Sequence, residues 1–252
     1  MTDNETGQVA PRMIPGPHGR IAAVTEEGDG PAVVWLGGYA SDMRGSKAEA
    51  IAAWARERGR ACVRFDYSGH GESEGAFEDG CIGDWLADAR AALDALTAGP
   101  VVLCGSSMGA WIAGLLVREV PERVAGMLLL APAPDFTQDL TRKGWSKEEQ
   151  DRLARDGRIA FPSAYDDSEM VYTQRLFDDG AEHLILHEPL LVPCPVRIIQ
   201  GTADNAVPWT HAVWYAEHME AEDVTVTLVK GADHRLSTPP DIERMLGVLE
   251  AF

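Results

Sequence analysis

Gly105-Ser106-Ser107-Met108-Gly109 follows the apolar run Pro100-Val101-Val102-Leu103-Cys104 and leads into Ala110-Trp111-Ile112-Ala113-Gly114-Leu115-Leu116-Val117-Arg118. The first flank is short and β-branched, as a buried strand is, and the second has the length of a helix. G-x-S-x-G between a strand and a helix is a nucleophile elbow, a sharp turn that lifts the serine clear of the sheet. The turn is expected to need backbone angles that a bulky residue resists, which accounts for glycine two positions either side of Ser107. The first amides of the following helix then point at a reacting carbonyl. Taken without its flanks, the pentapeptide would be an ordinary glycine-rich turn with an idle serine.

Outward from the elbow, strand-like and helix-like runs alternate. Strands are expected at Ala32–Leu36, Ala61–Phe65, Val101–Cys104, Ala125–Leu130, Val196–Gln200 and Val224–Val229. Helices are expected at Lys47–Arg58, Ile82–Leu96, Met108–Val120, Thr210–Met219 and from Asp241 to the end. That rhythm predicts an α/β domain with a mostly parallel central sheet covered by helices on both faces. Residues 1–17, rich in Gly, Pro and polar side chains, read as a flexible tail, and 18–252 as a single domain. The segment from Asp135 to Pro193 breaks the rhythm with two weaker helical patterns, Lys147–Asp156 and Ser168–Asp178, around Phe161-Pro162-Ser163-Ala164-Tyr165. An insertion there lies over the carboxyl ends of the strands, where α/β sheets bind ligands, and is expected to act as a cap.

The chain has 252 residues, 45% of them hydrophobic, enough to bury a large core. Its 22 basic and 40 acidic residues give a net charge of −18, which repels nucleic-acid phosphates and anionic lipid. The polar, acidic start Met1-Thr2-Asp3-Asn4-Glu5-Thr6 has no signal-peptide pattern. The longest apolar stretch, Val124–Ala133, is too short to span a bilayer, so no membrane insertion is expected. Cys62, Cys81, Cys104 and Cys194 form no paired motif, so neither a disulfide framework nor a zinc site is expected. A reducing cytoplasm is the expected location.

A serine hydroxyl needs a base to remove its proton, and the base needs an orienting partner. Of the seven histidines, only His234 lies in a loop after a terminal strand and before the last helix, within Lys230-Gly231-Ala232-Asp233-His234-Arg235. His70, in the loop after Phe65, is its rival. Asp204, on the turn after Val196–Gln200, fits the chain order nucleophile–acid–histidine, with Asp135 the alternative. Asp233 adjoins His234 too closely in sequence to reach its ring well. The amides of Met108 and Tyr39, the latter in Gly37-Gly38-Tyr39-Ala40-Ser41, are the expected oxyanion donors. The run Ser68-Gly69-His70-Gly71-Glu72-Ser73 is no phosphate loop, because Glu74 stands where its third glycine belongs. The acidic pairs Asp166-Asp167 and Asp178-Asp179 read as solvated carboxylates rather than metal ligands.

With these residues assembled, the chain resembles the α/β-hydrolase superfamily. Gly38-Tyr39, Ser41-Asp42-Met43, Gly45-Ser46-Lys47-Ala48, Arg64-Phe65-Asp66-Tyr67-Ser68-Gly69 and the elbow make one group of matches; Pro193-Cys194-Pro195, Val207-Pro208-Trp209 and Asp233-His234-Arg235 make another. Together they resemble the acyl-protein thioesterase branch that also cleaves acyl glucuronides. The resemblance implies Ser107 as nucleophile, Asp204 as acid and His234 as base, with no cofactor or metal. It implies a small-molecule ester or acyl-thioester substrate, with acylated protein a further candidate. Two departures bear on the pocket: Gly37 where many members carry histidine, and Ala110 where a second glycine is common. A receptor that keeps the fold but turns over little is the alternative class.

Overall fold

The computed structural model describes residues 9–163 and 169–252. Along the chain, β1 (Arg12–Gly16), β2 (Gly19–Glu26) and β3 (Asp29–Leu36) precede α1 (Ser46–Glu57), β4 (Arg60–Phe65) and α2 (Ile82–Leu96). The centre follows as β5 (Val101–Ser106), α3 (Met108–Glu119) and β6 (Val124–Leu130). The insertion comprises a π-helical turn (Thr137–Thr141), α4 (Arg142–Gly144), α5 (Lys147–Asp156), β7 (Arg158–Pro162), β8 (Glu169–Thr173), α6 (Gln174–Glu182) and β9 (Leu190–Leu191). The chain closes with β10 (Val196–Gly201), α7 (Trp209–His218), β11 (Met219–Glu220), β12 (Val224–Val229) and α8 (Pro239–Leu249).

Eight strands form the main sheet in the order β1-β2-β4-β3-β5-β6-β10-β12. From β4 to β12 every neighbouring pair is parallel, whereas β2 is antiparallel to both β1 and β4. Side chains alternate between the two faces, as strand geometry dictates. On β5, Val101 and Leu103 pack in the core with α2, α3 and α7, while Val102 and Cys104 pack in the core with α1 and α8. The fold is thus the α/β arrangement expected, with β5 at its middle and the elbow at that strand's carboxyl end. Among the described residues, no helix is long and apolar enough to cross a membrane.

Two elements differ from the sequence expectation. Residues 12–16, expected in a loose tail, form β1 and pair with β2, a strand the alternation did not disclose. Their pattern is hard to read because Pro15 and Gly16 weaken the strand signal, and only Ile14 of β1 is buried. The expected helix at Ser168–Asp178 instead begins as a strand. Glu169–Thr173 pairs antiparallel with β7, and α6 starts only after Thr173, whose hydroxyl accepts the Leu176 amide at 3.2 Å. Val171, Tyr172 and Thr173 favour a pleated strand, and that preference wins here. Ala164, Tyr165, Asp166, Asp167 and Ser168 lie outside the described residues.

Several apolar side chains of the insertion pack on one another. Leu153, Ile159 and Phe177 make a separate small core against Trp145, Phe161 and Tyr172, while Phe136 and Leu176 join the main core. The insertion is fastened to the body through α6. Asp179 accepts the Gly83 amide at 2.8 Å, and Arg175 pairs with Asp84 at 2.7 Å. All four cysteines are buried free thiols.

Candidate active site

β5 ends at Ser106 and α3 begins at Met108, so Ser107 alone makes the turn, at φ 54° and ψ −117°. The strain sits on the serine itself, and the flanking glycines serve close packing instead. A Cβ on Gly105 would lie 2.5 Å from the Gly109 carbonyl oxygen, and one on Gly109 only 2.0 Å from that of Leu36. A positive φ at a non-glycine residue costs about 1–3 kcal/mol and persists only where its surroundings over-determine it. Here the Ser107 amide donates to the Leu130 carbonyl at 2.9 Å, and the Ser107 carbonyl accepts the Ala110 and Ala133 amides at 3.0 and 3.2 Å.

The ends of β10 and β12, beyond β6 in the sheet, bring up the partners. Asp204 follows β10 and His234 follows β12; these strands are parallel neighbours, so their loops emerge side by side. The loops are tied together: Ala203 N–H donates to the Ala232 carbonyl at 3.0 Å, and Gly231 N–H donates to Thr202 Oγ1 at 2.9 Å. A Cβ on Gly201 would fall 2.3 Å from that same Ala232 oxygen. In this setting His234 Nε2 lies 3.0 Å from Ser107 Oγ, and His234 Nδ1 lies 2.7 Å from Asp204 Oδ2. Asp204 also accepts the Ala206 and Val207 amides on Oδ1, each at 2.8 Å, and Gln200 Nε2 on Oδ2 at 2.9 Å. Burial works to raise the Asp204 pKa, but the hydrogen bonds and His234 outweigh it and hold the carboxyl below its ordinary value.

The rivals fall elsewhere. Asp135, in the loop after β6 with φ 55°, accepts the Ile185 and Leu186 amides at 2.8–3.1 Å and so anchors the far end of the insertion. Burial pushes its pKa up to about 6. Asp233 Oδ1 accepts the amides of Arg235 and Leu236, shaping the His234 loop rather than orienting the ring. Lys47 Nζ donates to the Arg235 carbonyl and braces the loop from α1. His70 is 3% exposed, with Nδ1 3.2 Å from the Ser68 carbonyl and its ring against Tyr67, Phe77 and Trp85. Burial drives its pKa down to about 4, which leaves it neutral.

Tyr39 lies in the loop that crosses the elbow. A Cβ on the preceding Gly38 would come within 3.4 Å of Ser107 Cβ, so this backbone passes directly beside the nucleophile. Met108 is the first residue of α3, and first-turn amides have no intrahelical acceptor. The Tyr39 ring meets Phe77, Trp85, Phe136 and Tyr172 at centroid separations of 4.9–5.8 Å. Neither this aromatic cluster nor Gln200 is expected from the sequence. The rings come from separate stretches of chain, and the only local sign of Gln200 is a polar residue at the end of an apolar strand.

Among the described residues, one group has metal-ligand chemistry. Ligand atoms of Asp135, Asp139 and His187 lie within 4.8 Å of one another. Asp139 is already paired with Lys143 at 2.6 Å and with His187 at 3.3 Å, and Asp135 with two amides. The cluster therefore reads as ion pairing.

The family model described as serine aminopeptidase, S33 matches residues 31–175. The mitochondrial palmitoyl-protein thioesterase ABHD10 of Pongo abelii is 35% identical over 225 residues, covering 89% of this chain and 73% of that protein. Its Homo sapiens counterpart is 34% identical over the same shares. A putative hydrolase from Agrobacterium vitis superposes with TM-score 0.92 at 42% identity, covering 96% of this chain and 97% of that one. Mouse alpha/beta hydrolase domain-containing protein 10 superposes with TM-score 0.89 at 29% identity, over 96% and 98%. These relatives overturn the cytoplasmic placement expected from the sequence, because the animal proteins are mitochondrial. Buried free thiols and an acidic surface suit any reducing compartment and do not single out the cytoplasm. With more than half its length matched and these relatives spanning most of it, the chain belongs to the serine aminopeptidase S33 family of α/β-hydrolase-fold serine hydrolases.

Proposed function

We propose that this protein hydrolyses carboxylic esters or thioesters through an acyl-enzyme on Ser107. The observation that carries the reading is the continuous chain from Ser107 Oγ to His234 Nε2 at 3.0 Å and from His234 Nδ1 to Asp204 at 2.7 Å. Ser107 Oγ attacks the carbonyl carbon while His234 Nε2 takes its proton. Asp204, held ionised by four hydrogen-bond donors, fixes the tautomer with hydrogen on Nδ1 and stabilises the imidazolium. The Met108 and Tyr39 amides receive the oxyanion. Its collapse expels the alcohol or thiol, which leaves with the proton from His234. Water, deprotonated by the same imidazole, then attacks the acyl-enzyme and returns Ser107 to its starting state.

Residues 135–193 serve as the cap of a single catalytic domain. The relatives named palmitoyl-protein thioesterases favour an acyl-thioester substrate, acylated protein included. Tyr39, Phe77 and Tyr172, the partly exposed rings of the cluster, offer an apolar surface beside the oxyanion loop, backed by the buried Trp85 and Phe136. Each methylene buried there contributes up to about 0.8 kcal/mol.

A fluorophosphonate probe should label the wild type, Ser107→Ala should lose the label while staying folded, and Ser106→Ala should keep it. Substrate class is tested with p-nitrophenyl esters from acetyl to octanoyl and with acyl-thioesters of the same lengths. An aminoacyl anilide is the control for peptidase activity. Persistent labelling of Ser107→Ala at another serine refutes the mechanism. An anilide cleaved faster than every ester and thioester refutes the substrate class.

A further inference from the structure

Tyr39 touches two parts of the molecule that are remote in sequence. Its backbone belongs to a tight turn whose Gly38 carbonyl accepts both the amide and the hydroxyl of Ser41, at 3.2 and 2.8 Å. Ala40, immediately after it, is held in the left-handed region at φ 55°. A turn so closed moves as one piece, and Gly38 presses it against Ser107. The Tyr39 side chain leaves that turn for the insertion. Its hydroxyl donates to the Val171 carbonyl on β8, and its ring lies parallel to that of Tyr172, with centroids 5.4 Å apart and planes 8° apart. Phe77, Trp85 and Phe136 enclose the rest of the ring. Burial raises the Tyr39 pKa, so the hydroxyl remains a protonated donor throughout the working pH range.

We infer that Tyr39 is a positioning residue that fastens the oxyanion loop to the β7–β8 hairpin of the insertion, so that the hairpin sets where the Tyr39 amide stands. This rests on the proposed role of that amide. A donor displaced by a fraction of an ångström serves the developing oxyanion poorly, whereas ground-state binding is little affected. The link therefore acts on turnover rather than on substrate affinity. It also makes the oxyanion loop responsive to whatever lies against Tyr172, which is how an acyl group beneath the cap can influence a bond broken some distance away.

The test is Tyr39→Phe, which keeps the ring stack and removes only the hydroxyl donated to Val171, with Tyr172→Leu as the complementary change from the insertion side. Wild type and variants are assayed with p-nitrophenyl octanoate, and their affinity for a trifluoromethyl ketone, whose serine adduct carries the oxyanion, is measured in parallel. Both variants should lower kcat by about tenfold with KM within about twofold, and weaken the ketone by a matching factor. A residue that only lines the pocket would raise KM and leave kcat alone. Normal kcat in a folded Tyr39→Phe, or a change confined to KM, overturns the inference while Ser107 labelling of the wild type keeps the serine mechanism standing. If Tyr39→Phe does not fold, Tyr172→Leu decides by the same criteria. A wild type that fails to label at Ser107 overturns both.

Discussion

Replacing Asp204 by asparagine isolates the work of a single oxygen. Oδ1 accepts the Ala206 and Val207 amides, each at 2.8 Å, so the asparagine must keep its carbonyl oxygen at that position. Its NH2 then falls where Oδ2 stood, 2.7 Å from His234 Nδ1 and 2.9 Å from Gln200 Nε2. Facing the imidazole, that nitrogen donates where the carboxylate accepted, and the favoured tautomer now carries its hydrogen on Nε2. The ring nitrogen 3.0 Å from Ser107 Oγ has lost the lone pair that takes the proton. The expected fall in kcat is about 10⁴-fold, or roughly 5–6 kcal/mol of barrier. Gln200 offers no easy rescue, since its Nε2 also donates to the Gly201 and Val207 carbonyls and turning the amide would break both bonds. The one mismatched pair should cost about 1–2 kcal/mol of stability, a few degrees in Tm. The assay is steady-state hydrolysis of p-nitrophenyl octanoate beside a thermal melt, with Asp135→Asn for comparison. Asp135 serves the Ile185 and Leu186 amides, so its variant should lose stability but keep kcat within about tenfold of wild type. A kcat for Asp204→Asn within tenfold of wild type, or a larger loss in Asp135→Asn, refutes the assignment.

Gly109→Ala puts a Cβ 2.0 Å from the Leu36 carbonyl oxygen and 2.7 Å from that of Gly37, both backbone atoms. It should destabilise by about 3 kcal/mol or more and abolish labelling of Ser107, as read by urea melts and the fluorophosphonate probe. Asp135 titrates at about 6 in the folded protein and about 3.9 unfolded, so between these values the folded state holds the extra proton and stability falls as pH rises. Relative to Asp135→Asn, which cannot titrate, the wild type should therefore lose roughly 2 kcal/mol between pH 4 and 7, and urea melts giving a pH-independent difference would refute it. Across the p-nitrophenyl and thioester series, kcat/KM should rise from acetyl to octanoyl, with thioesters turned over at least as well as oxygen esters. A steady fall beyond acetyl in both series refutes the long-acyl pocket and leaves the serine mechanism intact.

Much of the fold is legible because burial imposes a period on the sequence. Val101 to Cys104 are buried on both faces and read as one apolar run, and α2 spans the residues its pattern indicates, Ile82 to Leu96. The candidate nucleophile, acid and base are legible for a different reason. Each follows a strand, and parallel strands deliver their carboxyl ends to one edge, so loop position alone brings residues 107, 204 and 234 together. Edge pieces escape such reading. β1 has one buried side chain and little pattern to reveal, and β8 is so short that its strand-favouring Val171, Tyr172 and Thr173 register only once β7 pairs with them. The aromatic cluster around Tyr39 is illegible in principle, because its rings are contributed by residues 39, 77, 85, 136 and 172, each unremarkable in its own stretch.

At the elbow the sequence points to the observed strand–turn–helix geometry but suggests the wrong cause for it. Glycine two places either side of the serine suggests residues that take unusual backbone angles. In the structure neither Gly105 nor Gly109 has a positive φ, and Ser107 bears it. Gly109 is there because the end of β3 passes too close to the start of α3 for a Cβ, and Gly105 because α3 folds back against β5, while the serine between them is held by hydrogen bonds to Leu130 and Ala133. The same device recurs at Gly201, where the absent side chain admits the Ala232 carbonyl and draws the His234 loop against the Asp204 loop. At both places glycine supplies proximity, and at the elbow the conformational strain is carried by the residue between the two glycines, Ser107. A reacting geometry held to tenths of an ångström calls for such an arrangement, since a strained residue stays in place only when its neighbours are packed too tightly to let it relax.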